Sequence, residues 1–445
     1  MFAEKLKIHF IGIGGIGVSA LAKYYIGKGH RVSGSDLLGS EITDAFRKKG
    51  IKIFIGKEKP EEAAKKFDLV IYSPAISVRH PMSNMLSYPQ ALGQLTKQYF
   101  TIAVSGTHGK STTTAMIALL LVKAGLDPTV IVGTKLKEFK DSNCRVGKSQ
   151  YLVIEADEHF ASFLNYWPKI IVLTNIEEDH LDYYKNLKNI LRTFKKYVSH
   201  LPKDGILAIN NDDKNIRKML ISNFQFPISK QIPIKKYSIK QPEAKKLKNI
   251  LKVPGEHNIY NALAALSVAR ILKIPDRISF KALSGYKGAW RRFETKQITW
   301  KKKRITLISD YGHHPTKVRV TLKAAREKYP KKKIWCVYQP HQYQRTYYLF
   351  KEFTKVFRTA PVDGIIITDI FDVAGREETK IKKKVSSEKL VEAVKKKSVI
   401  YLPKDEILNH LKENLGSGEV LIIMGAGDIY KLDKLMIKPE NKNRF

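Results

Sequence analysis

The sequence predicts an α/β protein of three domains, and three observations carry that expectation. Apolar strand-like runs alternate with helix-like segments along the chain, glycine-rich turns twice join a strand to a helix, and 445 residues are too many for one ordinary core. Such alternation is the pattern of parallel sheets covered by helices.

The first series opens with a strand over Leu6 to Ile13, which runs into glycines and a helix over Val18 to Tyr25. Arg31 to Gly34 reads as the next strand, Glu41 to Lys49 as a helix, and Ile51 to Ile55 and Leu69 to Tyr72 as further strands. Around Tyr88 to Gln98 the pattern breaks, so the first domain is expected over residues 1–98. The strand Phe100 to Ser105 enters a second glycine turn and a helix over Thr112 to Ala124. Strands at Tyr151 to Glu155, Ile170 to Thr174 and Ile206 to Asn210 follow. Pro227 to Lys248 is rich in lysine and proline, and Asn258 to Leu272 reads as an Ala-rich helix ending before Pro275, which completes a central domain over 99–288. Strands at Ile305 to Asp310, Ile334 to Gln339, Ile365 to Asp369 and Val420 to Met424 place a third α/β domain over 289–445. Lys438 to Phe445 is expected to be a frayed polar tail, and no short-period repeat occurs.

Composition narrows the function. A run of about 18 apolar residues is absent, and Met1 to His9 lacks the apolar centre of a secretory signal, so a cytoplasmic protein without a membrane span is expected. Cys144 and Cys336 are too few for a disulfide framework or a cysteine zinc site. The formal charge of +38, from 80 Lys and Arg against 42 Asp and Glu, favours polyanions. The lysines nevertheless fall in scattered runs, Lys301 to Lys303, Lys331 to Lys333 and Lys382 to Lys384, with no recognition module, so no specific nucleic-acid partner is expected.

Gly106-Thr107-His108-Gly109-Lys110-Ser111-Thr112 lies between a strand and a helix. Backbone N–H groups at a helix N-terminus bind anions, Lys110 adds a point charge, and Ser111 can ligate Mg²⁺, which are the parts of a P-loop ATP site. Val104 stands where the general P-loop pattern has its first glycine. A magnesium site needs hard oxygens, and the strand ending at Glu155 delivers that carboxylate, with Asp157 and Glu158 close behind. Thr174 to Asp182 brings His180 to the same kind of strand end, where ligands bind in open α/β sheets.

Gly12-x-Gly14-x-x-Gly17, with Asp36 about 20 residues on, satisfies the Rossmann dinucleotide fingerprint. A glycine turn at a helix N-terminus accepts any pyrophosphate, so a nicotinamide dinucleotide and a UDP-sugar fit equally well. The third domain supplies Arg291-Arg292, and Asp310 to Pro315 and Gln339 to Arg345 bring histidines and Arg345 to strand ends, where Arg345 can grip a carboxylate through two nitrogens.

Eight stretches, in order and spacing, resemble the Mur ligase family over nearly the whole length: Gly12 to Leu21, Gly106 to Ser111, Glu155 to Glu158, Thr174 to His180, His257 to Ala265, Arg291 to Glu294, Asp310 to Thr316 and Met424 to Asp428. The match is strongest to the branch that joins L-alanine to UDP-N-acetylmuramate, with the branch that joins a recycled tripeptide to the same sugar as the nearest alternative. The resemblance implies a Rossmann-like UDP-sugar domain, a central P-loop ATPase-type domain and a Rossmann-like C-terminal domain that brings the amino acid. ATP and Mg²⁺ would serve an acyl-phosphate reaction in a monomer or weak dimer. Lys110, Glu155 and His180 would be catalytic, with Ser111, Glu155 and His180 on the metal. The resemblance further places Gly106 to Thr112, Asn258 and Asn261 on ATP, and Gly12, Gly14, Gly15, Gly17, Asp36 and Arg291 on the UDP-sugar. His341, Arg345 and His313 would take the amino acid. Two positions depart from the alanine branch: Gln342 replaces an arginine, and Lys317 follows Thr316 where an acidic residue is usual.

Overall fold

The computed structural model describes residues 5–78, 80–222, 232–373 and 379–437, so the expected tail from Lys438 to Phe445 lies outside the described residues. Its architecture is α/β, with three sheets. The first contains β1 (Lys7–Ile11), β2 (Arg31–Asp36), β3 (Lys52–Ile55), β4 (Leu69–Tyr72) and β5 (Met85–Ser87) in the order β3-β2-β1-β4-β5, all parallel. The second contains β6 (Phe100–Ser105), β7 (Thr129–Leu136), β8 (Ser142–Arg145), β9 (Tyr151–Glu155), β10 (Ile170–Leu173), β11 (Ile206–Asn210) and β12 (Ile234–Tyr237). Its order is β12-β11-β10-β6-β9-β7-β8, parallel except for the antiparallel pair of β7 and β8. The third contains β13 (Glu294–Trp300), β14 (Lys303–Asp310), β15 (Ile334–Tyr338), β16 (Gly364–Ile367), β17 (Val399–Tyr401) and β18 (Val420–Met424). Here the order is β13-β14-β18-β15-β16-β17, with only β13 antiparallel.

Two compact units divide the chain. The first comprises Met1–Glu177, Leu187–Leu251 and Ile259–Lys287 and holds two sheets; the second comprises Glu178–Asn186, Lys252–Asn258 and Gly288–Phe445 and holds the third. In the second unit β18 is buried along its full length, and its side chains alternate between two cores. Val420, Ile422 and Met424 join Tyr338, Phe353 and Phe357, while Leu421 and Ile423 join Leu307, Val337 and Ile407. An uninterrupted apolar run is what a strand covered on both faces requires, and each such side chain contributes about 1.5–3 kcal/mol by leaving water.

Where the sequence pattern breaks, at Tyr88 to Gln98, the structure has a helix, Tyr88–Gln98. Pro89 reads as a breaker, but in the first turn its missing N–H is not needed, and Ser87 and Gln90 form a capping box ahead of it. The hairpin of β7 and β8 and the strands β5, β12, β13 and β17 are additions to the expected set. β5, β8, β12, β13 and β17 are edge strands, and the apolar run of β7 is only Val130 to Val132 before Gly133, so no long apolar run marks them. In the lysine-rich stretch from Pro227 to Lys248, β12 is followed by a helix at Pro242–Ile250, while residues 223–231 lie outside the described set. Among the described residues no helix is long and apolar enough to cross a membrane.

Candidate active site

The parallel strands deliver their chemistry at their C-terminal ends, as open α/β sheets do. After β1 the chain turns through Gly12, which has a φ of +81° and whose N–H donates to the Ser35 carbonyl at 2.8 Å. Gly15 is the N-cap of the helix Ile16–Gly27. The Gly14 N–H donates to the Asp36 carboxylate at 2.8 Å, so Asp36, at the end of β2, fixes the turn from the neighbouring strand. Gly17 faces Tyr88: a Cβ there would lie 3.1 Å from the phenol oxygen. All five sequence-predicted residues of this turn are brought together.

The second glycine turn is held more tightly. Gly106 and Gly109 have φ of +132° and +84°, and a Cβ on either would overlap Thr174 or Asn261 respectively. The end of β10 grips the turn: Asn175 Oδ1 accepts from the His108 N–H at 2.9 Å, its Nδ2 donates to the His108 carbonyl at 3.0 Å, and its own carbonyl accepts from the Thr107 N–H at 3.0 Å. Thr174 Oγ1 adds a bond to the His108 carbonyl at 2.6 Å, and the Glu177 N–H donates to Thr107 Oγ1 at 2.8 Å. The helix Lys110–Lys123 begins at once, with Ser111 and Thr112 buried in its first turn. Asn261 supports it from the helix Glu256–Ile271 by accepting from Thr113 Oγ1 at 3.1 Å.

Lys110 Nζ lies 2.6 Å from Glu158 Oε2, 3.5 Å from Asp157 Oδ1 and 2.8 Å from the Gly106 carbonyl. Burial works against its charge, but Glu158, Asp157 and Glu155 outweigh it and raise its pKa above the ordinary lysine value. Burial likewise pushes the Glu158 carboxyl up while Lys110 holds it down. Glu155, at the end of β9, is anchored through Oε1 by the Gly133 N–H of β7 at 3.0 Å.

The second unit gathers a different set. His180 caps the short helix Leu181–Tyr184 in the left-handed region, φ +52°, with Nε2 3.9 Å from Asp179. Asp179 forms a buried ion pair with Arg345, Nε to Oδ1 3.1 Å. Burial would raise the Asp179 carboxyl, but Arg345, His180, His314 and His313 hold it well below the usual carboxylate range. Arg345 Nη1 also lies 3.4 Å from His341 Nδ1, and the His341 and His313 rings are 5.9 Å apart. Burial, with Lys317 and Arg345 beside it, pushes His313 well below its ordinary value; Lys317 Nζ is 3.4 Å from its Nε2. A small cleft lined by Asp179, His180, Asp182, Gln342, Arg345 and Tyr348 opens beside this group. His341, Arg345 and His313 are thus brought together in the second unit.

Two sequence-predicted residues have other engagements within the second unit. Arg291 is buried, its Nη2 donates to the Gly425 carbonyl, and its guanidinium packs over Trp290, Tyr311 and Tyr430. Asn258 donates from Nδ2 to the Pro254 carbonyl at 2.6 Å. Sequence reasoning passed over Asp179 as the partner of Arg345, Asn175 as the clamp of the second glycine turn, Tyr88 against Gly17, and Gly133 against Glu155. Asp179 and Asn175 lie inside a stretch singled out for His180, whereas nothing local marks the other two.

Family models described as "Mur ligase family, catalytic domain", "Mur ligase middle domain" and "Mur ligase, glutamate ligase domain" match residues 7–100, 104–269 and 291–427. The UDP-N-acetylmuramate–L-alanine ligase of Clostridium acetobutylicum is 39% identical over 458 residues, covering 97% of each chain. That of Acetivibrio thermocellus is 39% identical over 459 residues, covering 97% of this chain and 95% of its own. Among solved structures, a UDP-N-acetylmuramate–alanine ligase from Thermotoga maritima superposes with a TM-score of 0.75 at 25% identity, covering 97% of this chain and 98% of its own. A murein peptide ligase from Psychrobacter arcticus shares the fold, with a TM-score of 0.69 at 22% identity and the same coverage. With family matches in each of the three sheet regions and near-complete coverage by these relatives, the chain belongs to the Mur ligase family.

Proposed function

We propose that the protein joins L-alanine to the lactyl carboxylate of UDP-N-acetylmuramate, converting ATP to ADP and phosphate, in cytoplasmic peptidoglycan precursor synthesis. The observation that carries this beyond the likeness to the alanine ligases is the phosphate turn, clamped by Thr174 and Asn175 and supplied with a buried, charged lysine. In the reaction the lactyl carboxylate oxygen attacks the γ-phosphorus and ADP leaves. The amine of alanine then attacks the acyl-phosphate carbon, loses a proton and expels phosphate. Such transfers are accelerated chiefly by positioned N–H donors and cations.

Lys110 and the N–H groups of Gly109 to Thr112 at the helix N-terminus would hold the ATP phosphates, with Gly106, Thr107 and His108 shaping the turn around them and Asn261 and Asn258 toward the nucleoside. Gly12, Gly14, Gly15, Gly17 and Asp36 would hold the UDP-sugar, with Arg291 supporting it. His341, Arg345 and His313 would orient alanine, Arg345 through its carboxylate. The donor set fits magnesium: Ser111 and Glu155 offer hard oxygens, and the Gly133 N–H fixes one Glu155 oxygen at 3.0 Å. His180 is the third ligand proposed, and the bound ion would neutralise phosphate charge. The functional division proposed is 1–98 for the sugar, 99–288 for ATP and 289–445 for the amino acid, in a monomer or weak dimer.

The test is phosphate release with Mg-ATP and UDP-N-acetylmuramate, each amino acid or the recycled tripeptide added in turn, and product mass recorded. An alanine adduct is expected. A tripeptide adduct alone would assign the chain to the recycling branch, and no sugar-dependent release would overturn the ligase assignment.

A further inference from the structure

We propose that Asn143, on the hairpin of β7 and β8, is a positioning residue that sets the Gly12–Gly17 turn against Glu155. This rests on the roles assigned above to that turn and to that carboxylate. Asn143 is 1% exposed, and its side chain is fully committed. Its two Nδ2 hydrogens go to the Ile16 carbonyl at 2.6 Å and to Ser19 Oγ at 3.0 Å, and its Oδ1 accepts from Lys23 Nζ at 2.6 Å. All three partners lie on the helix Ile16–Gly27, whose first turn forms the wall of the first glycine loop. The contact continues to the far end of that helix, where a Cβ on Gly27 would lie 2.6 Å from Val146.

The same hairpin reaches the other site. Ile131 pairs with Cys144, and two residues along β7 the Gly133 N–H holds Glu155 Oε1 at 3.0 Å. A Cβ at Gly133 would stand 2.8 Å from Glu155 Oε2, so the strand approaches that carboxylate as closely as glycine permits. One short antiparallel pair thus grips the sugar-side helix with one strand and the ATP-side carboxylate with the other. β7 continues the parallel sheet beside β9, whereas β8, which carries Asn143, is the edge strand and pairs antiparallel to it. An amide serves all three partners at once, because the Lys23 ammonium requires an acceptor while the Ile16 carbonyl and Ser19 Oγ take the two donors. Alignment of two bound reactants is sensitive to shifts of about 1 Å, which can cost on the order of 100-fold in rate.

Asn143→Asp keeps the shape and the lysine partner but removes both donors. In the full-length protein its kcat is expected to fall roughly 10- to 100-fold. Dissociation constants for UDP-N-acetylmuramate and ATP should each stay within about two-fold, since neither loop is itself altered. Lys23→Met, which leaves Asn143 without the cation that orients it, should lower kcat in the same sense by less, and decides the matter if Asn143→Asp does not fold. Wild-type kcat in the folded variants, or a loss that disappears at saturating UDP-sugar, would overturn the assignment. A wild-type protein that consumes no ATP with UDP-N-acetylmuramate would instead overturn the ligase function on which it rests.

Discussion

The two glycine turns of the first unit are built alike and held differently. Each leaves a buried parallel strand and opens a helix, so each brings backbone N–H groups to a helix N-terminus, where anions are favoured. The first is tied to the end of β2 by the Ser35 carbonyl and by the Asp36 carboxylate on the Gly14 N–H, and carries no charged side chain from Gly12 to Gly17. The second is tied to β10 by Thr174 and Asn175, has Asn261 against Gly109, and sets Lys110 among Glu155, Asp157 and Glu158. On the roles proposed above, a turn that only binds needs shape, whereas one that must stabilise a moving phosphoryl group needs charge fixed in advance, because donors already in place cost no reorganisation during the step.

Removing the lysine should separate the two turns most sharply. Lys110→Ala is expected to lower ligation by about 10³-fold or more while leaving UDP-N-acetylmuramate affinity unchanged. Calorimetry alongside phosphate release checks both; loss of sugar binding in the folded variant would contradict the division. Next in size, Gly14→Val puts a branched side chain where a Cβ already meets Asp36 Oδ2 at 2.8 Å. UDP-sugar affinity should fall about 10-fold or more, roughly the loss of one charge-assisted hydrogen bond, with ATP binding intact.

A separate effect, on stability rather than on ligation, concerns the helix that carries Asn261. His257, in its first turn, is desolvated, which lowers its pKa to about 4 from an ordinary 6.5. Since the native imidazole stays neutral while the unfolded one takes a proton, this group's stabilisation is full above pH 6.5 and is lost as pH falls toward 4. The loss is on the order of 3 kcal/mol at most. Urea titrations at pH 7 and pH 5 should show a shallower pH dependence for His257→Gln, and an unaltered slope would count against the assignment.

Long apolar strands and glycine turns were readable from residue order alone, because their burial leaves no alternative: β4, β6, β9, β11 and β18 match the expected runs residue for residue. The helix Tyr88–Gln98 was hidden because proline is unfavourable inside a helix and favourable at its start, and only the Ser87–Gln90 capping box distinguishes the two. At the site, Lys110, Glu155 and Arg345 were legible by residue type. Their partners were less so: Gly133 and Asp179 act across 22 and 166 residues, and no spacing rule connects such positions.

The path of the chain through the second unit bears on how the gene can be divided. That unit is assembled from Glu178–Asn186, Lys252–Asn258 and everything from Gly288 onward. A fragment starting at residue 289 would lack Leu181, which packs on the core of Phe353 and Phe357, and would leave the buried Arg345 guanidinium without Asp179. Stranding one member of a buried ion pair costs roughly 3–5 kcal/mol, a large share of a domain's net stability. Chimeras between relatives would therefore have to exchange the two short internal segments together with the C-terminal portion.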